Sequence, residues 1–90
     1  MAREIRSYLA LVRFAHALAR LEAVDTLYFL EVGEEMHAWV VMRRLERADR
    51  HAVFAAQMEA DPNFLLILHL TDCPKTVPAD AGQLDLKPSM

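Results

Sequence analysis

Ninety residues with a net charge of −3 and a pI near 5.7 exclude a multi-domain enzyme and disfavour a general binder of nucleic acid or anionic membrane. Hydrophobic residues make up 54% of the chain and glycine only two positions, so the excess sits in side chains that want burial. The lone Cys73 excludes an internal disulfide, and no apolar run reaches the roughly 18–20 residues of a membrane span.

A domain of this size buries only roughly 60–65% of the surface its unfolded chain exposes. A surplus of apolar side chains therefore points to a partner surface. Met1 to Arg6 leads into a charged amphipathic helix with no secretory leader pattern. A bacterial-type cytoplasmic location is the default expectation.

The first element reads as a helix from Arg3 to Ala23, free of glycine and proline and rich in alanine, leucine and arginine. At 100° per residue, Ile5, Tyr8, Leu9, Val12, His16 and Ala19 share one face, and Leu11, Phe14, Leu18 and Leu21 extend it. Only a narrow stripe with Arg6, Ala10, Arg13, Ala17 and Arg20 remains polar. A helix packed on one sheet needs an apolar arc of roughly 100–140°. This arc is wider, so part of it should meet a second surface.

Val24-Asp25-Thr26 breaks the helical pattern and opens a first strand through Leu27–Val32. Gly33-Glu34-Glu35 is a hairpin signal, with glycine supplying positive φ. A second strand follows from Met36 to Met42 or Arg43. After a charged bridge, Asp49 reads as the N-cap of a second helix carrying Val53, Phe54, Gln57 and Met58, which Asp61-Pro62-Asn63 ends. A third strand spans Phe64–Thr71 and is nearly continuous in apolar residues.

The expected fold is therefore α+β, two-layered, in the order α-β-β-α-β, with a three-stranded mixed sheet. A right-handed crossover makes the third strand parallel to the second. It can lie beside the second strand or skip it; strand order 2-1-3 is the favoured arrangement. Residues 1–72 form a single domain, and 73–90 a Pro-containing tail in which Leu84-Asp85-Leu86 alternates like a short edge strand.

Glu34-x-x-His37 has a spacing found in di-iron helical bundles, but here it spans a turn and a strand and lacks a matching second copy. A solvated hairpin is the expectation, with no metal and no cofactor. His69, Asp72 and Cys73 cluster at a strand end, where His37 can join them only if the second and third strands are adjacent and in suitable register. A small enzyme or metal protein at His37, His69 and Cys73 is one alternative. Arg43, Arg44, Arg47 and Arg50 gather at the second helix's start and define a second alternative, a nucleic-acid- or anion-binding regulatory domain. Glu46 and Asp49 are interleaved with them, which favours a solvated charged face. Arg6, Arg13 and Arg20, seven residues apart, read as an ordinary solvent-facing stripe.

No phosphate-binding glycine loop, nucleophile elbow, Cys-x-x-Cys or His-Glu-x-x-His occurs. The leading expectation is a non-enzymatic association or regulatory module. Its partner is itself, as a homodimer, or another small protein, with no membrane role. Tyr28, Phe29, Trp39, Ile67, Phe14 and Leu18 are the expected interface residues, although strand alternation prevents all of them from sharing one face.

Overall fold

A computed structural model describes residues 2–86. The elements are α1 (Ala2–Leu18), β1 (Val24–Val32), β2 (Glu35–Met42), α2 (Arg47–Ala60), β3 (Leu66–Thr71), a 3-10 turn at Pro74–Thr76, and β4 (Gly82–Leu84). The class is α+β, as the element pattern predicts. The sheet, however, has four strands in the order β3-β2-β1-β4.

The expected order 2-1-3 is thus corrected. β3 runs parallel to β2 and directly beside it, pairing Met36 with Leu66 and Val40 with Leu70. β2 alternates between fully buried Ala38 and Val40 and half-buried His37 and Trp39. A strand apolar on both faces needs neighbours on both sides, and the edge position assigned to it would have left it short of cover. The free side of β1 is taken by β4, antiparallel, with Phe29 opposite Gly82 and Leu27 opposite Leu84. The segment expected as a tail therefore contributes a strand and the buried Leu86. Residues 87–90 of that tail lie outside the described residues.

α1 ends five residues earlier than its composition predicts. Its last turn tightens through Arg20 N–H to Ala17 O at 3.3 Å and Leu21 N–H to Leu18 O at 2.9 Å. The chain must reverse there to bury Ala23 and Val24, so packing overrides propensity. The hairpin has a two-residue loop, Gly33-Glu34, between the paired residues Val32 and Glu35. Gly33 has φ +63° and Glu34 is not in the left-handed region, the pattern of a type II′ turn.

α2 begins at Arg47, with Glu46 as an N-cap whose side chain makes no capping bond. The expected N-cap, Asp49, instead sits in the first turn and accepts hydrogen bonds from Arg44. An ion pair available outside the helix competes with capping for the same carboxylate. At the other end Asp61 is the C-cap, as its position before Pro62 predicts. Its carboxylate is 1% exposed and accepts from the backbone N–H of Leu65 at 2.9 Å and of Leu66 at 2.8 Å. Gln57 Nε2 donates to Leu66 O at 3.1 Å. Gln57 of α2 and its C-cap Asp61 thereby set where β3 starts. Phe64, at φ 52°, takes the strain of the turn between them.

Both helices lie on one face of the sheet. The core there comprises Leu11, Phe14 and Leu18 of α1, Val53 and Ala56 of α2, and Leu27, Ala38, Val40 and Leu66 of the strands. The pleat sends Tyr28, Leu30, His37, Trp39, Ile67 and His69 to the opposite face, where they are half-buried. Val41 also points that way yet is only 2% exposed. The connection 72–81 carries the chain from the β3 edge to the β4 edge.

Candidate functional site

The open face carries the most organised group of polar side chains outside the Asp61 turn. Glu35, His37 and Trp39 alternate along β2 and so share that face. Register places His69 of β3 beside Trp39. The two conditions for His37 to approach His69, adjacent strands and matching register, are both met. His37 Nδ1 lies 2.9 Å from His69 Nε2, and His37 Nε2 lies 3.2 Å from Glu35 Oε1.

The two imidazole planes differ by 11° with centroids 5.1 Å apart. With facing nitrogens at 2.9 Å, that separation puts the nitrogens nearly on the line joining the centroids. The rings are therefore close to coplanar and joined edge to edge. Trp39 stacks on His69 at 4.8 Å and 13°, and on His37 at 5.8 Å and 24°. Stacking and hydrogen bonding together fix both ring planes.

Glu35 can only accept from His37 when ionised, so Nε2 of His37 carries a proton. For the neutral ring this leaves the Nδ1 lone pair to accept from Nε2–H of His69. His69 has its pKa lowered from 6.5, first by burial and then by the charge His37 can carry. Both effects keep His69 neutral.

The remaining expected site residues are scattered. Cys73 is exposed, and its backbone N–H donates to the Thr71 hydroxyl oxygen at 3.0 Å. Among the described residues no hydrogen bond joins its thiol to His69, whose ring is engaged with His37. No three His, Cys, Asp or Glu side chains among the described residues are grouped to hold a metal ion. Arg44 donates to Asp49 at 2.8 Å, which raises the guanidinium pKa, and Arg43 lies 3.9 Å from Asp25. Arg47 and Arg50 are exposed on α2. The four arginines thus do not converge on one point, because two of them turn toward separate carboxylates.

Of the expected interface residues, Phe14 and Leu18 are 0% exposed within the protein's own core, so they are corrected to core positions. The face of α1 they occupy is the one the sheet claims. Phe29 points to the helix side, edge-on to Tyr8 at 6.4 Å and packed near Gly82. Tyr28, Trp39 and Ile67 share the open face.

Part of the wide apolar arc of α1 is left uncovered by the fold. Ile5, Leu9 and Val12 are 63%, 50% and 48% exposed on the side away from the core. Tyr8 borders them and donates its hydroxyl hydrogen to Glu31. The helical periodicity groups these residues on one face, whereas the α1 residues expected at an interface are Phe14 and Leu18. What sequence reasoning missed was Glu35 and Trp39 as partners of the histidine pair, although their i, i+2, i+4 spacing with His37 was the available signal.

No protein-family model, curated protein or solved structure gives a significant match to this chain. Among the described residues no helix is long and apolar enough to cross a membrane.

Proposed function

We propose that this protein is a small non-enzymatic association module that pairs with a second copy of itself through the outer stripe of α1. The observation that supports this most is the run Ile5, Leu9 and Val12, aliphatic side chains at helical spacing that the fold leaves between 48% and 63% exposed. Spacings of four and three residues, with Tyr8 between, form the seam by which one helix packs on another.

A second copy suits this seam for two reasons. The seam's centre is apolar and uncharged, so a two-fold axis brings like to like without repulsion. Its margins differ in sign, with Arg6 and Arg13 on one side and Glu31, held by Tyr8, on the other. When two α1 helices pack parallel about a two-fold axis, the basic margin of each meets the acidic margin of the other. The lone Cys73 suits a reducing, cytoplasmic setting.

Solution mass by light scattering at micromolar concentration tests the reading. The expected result is a dimer whose interface buries roughly 1,000 Å² or more in total. Leu9→Glu places a charge in the seam and should yield a monomer with unchanged far-ultraviolet circular dichroism. An unmodified protein that is monomeric, or a Leu9→Glu variant that stays dimeric, refutes it.

A further inference from the structure

We infer that His37 and His69 form a proton-operated latch between β2 and β3: the pair holds the edge strand while one hydrogen lies between the rings, and releases it when both rings are protonated. This stands apart from the α1 seam and rests on the open face of the sheet.

The argument starts from the count of hydrogens. Facing nitrogens 2.9 Å apart accommodate one hydrogen between them, donated by one ring and accepted by the other. Either ring can be the donor, but both cannot. An imidazolium carries hydrogen on both nitrogens and has no lone pair to offer. Double protonation therefore removes the hydrogen bond and places two positive charges at the same short separation.

The neighbours decide which ring resists the second proton. On β2, the Glu35 carboxylate accepts from His37 Nε2 at 3.2 Å. On β1, Tyr28 stands beside Trp39 and the apolar Leu30 beside His37. On β3, Ile67 and Thr71 flank His69, and neither is ionisable on this face. Glu34 lies in the hairpin loop, and Asp72, Lys75 and Asp80 lie in the 72–81 connection. Among the described residues no carboxylate is recorded in contact with His69. Burial and the proximity of His37 lower its pKa from 6.5.

The sign of the effect follows. A histidine with a folded-state pKa below its unfolded value binds fewer protons when folded across the window between the two. Its stabilising contribution is complete above pH 6.5 and is lost as the pH falls from there through the folded value. Among the described residues β3 is an edge strand with β2 as its one strand neighbour, so the loss is felt locally.

The chain's single tryptophan, Trp39, stacks on both rings and reports their state. Its fluorescence should change in one transition centred below pH 6.5 while far-ultraviolet circular dichroism shows the protein still folded. His69→Gln should displace that transition, because Trp39 then faces His37 alone. In the unmodified protein, imidazole nitrogen shifts read by NMR should show the His69 ring taking up its second hydrogen only below pH 6.5. Amide exchange at Ile67 and His69, corrected for intrinsic rates, should quicken through that step more than exchange at Leu27. Flat Trp39 emission, a transition unmoved in His69→Gln, or a His69 ring titrating as an isolated imidazole would each overturn the latch. Should His69→Gln fail to fold, the NMR titration of the unmodified chain decides.

Discussion

The two faces of the sheet are made from the same strands, alternate residue by alternate residue, and they behave as different materials. On the helix side Leu27, Ala38 and Val40 are 0% exposed, in one core with apolar residues of α1 and α2. On the other side Tyr28, Trp39 and Ile67 are half-buried among two histidines and a glutamate. The first face holds the fold by area removed from water. The second contributes less area and more chemistry, because its polar groups keep partial contact with solvent and can change charge. A chain this short places its stability on one side of the sheet and its sensitivity on the other.

Paired truncations would sharpen that contrast most. Phe14→Ala should lower unfolding stability by about 3–5 kcal/mol, since a large ring is removed from a fully packed site. Ile67→Ala, on the open face, should lose about 1 kcal/mol, because its side chain is only partly withdrawn from water. Urea denaturation of both variants checks the ratio, and equal losses would show that the open face is a second core.

Asp61→Ala tests the device that aligns the faces. The backbone N–H groups of Leu65 and Leu66 lose their acceptor, and Leu66 is buried. A loss of about 2–3 kcal/mol is expected, with Asp61→Asn recovering part of it through the amide oxygen. If Asp61→Ala unfolds at the same urea concentration as the unmodified protein, β3's start is set by packing alone.

A smaller effect is expected at the β4 edge of the helix-covered face. A Cβ at residue 82 would stand 2.9 Å from the Phe29 ring, so Gly82→Ala must displace that ring. About 1 kcal/mol should be lost, with faster amide exchange confined to β4 and the adjoining part of β1. Faster exchange at β3 instead would break the picture of two independently anchored edges.

Several features were decided by local sequence. Uninterrupted helix formers made α1, the glycine before two glutamates made the hairpin, and Asp61-Pro62 ended α2, because each is governed by backbone sterics or hydrogen bonding within a few residues. Period-two alternation also determined that Glu35, His37 and Trp39 share a face. The width of α1's apolar arc could be counted without knowing the fold, and it called for a second surface.

What tertiary structure alone decided was direction and adjacency. Periodicity gives the width of an apolar arc and not which part of it meets the sheet, so Phe14 and Leu18 went to the core and Ile5, Leu9 and Val12 to the outside. Strand order followed the need of β2 for neighbours on both sides, and β4 closed the free edge of β1. The histidine pair depends on both: residues 32 positions apart meet only because β3 lies beside β2 with Trp39 opposite His69. A long-range register is the sum of many weak preferences over the whole core, and no short stretch of this chain contains it.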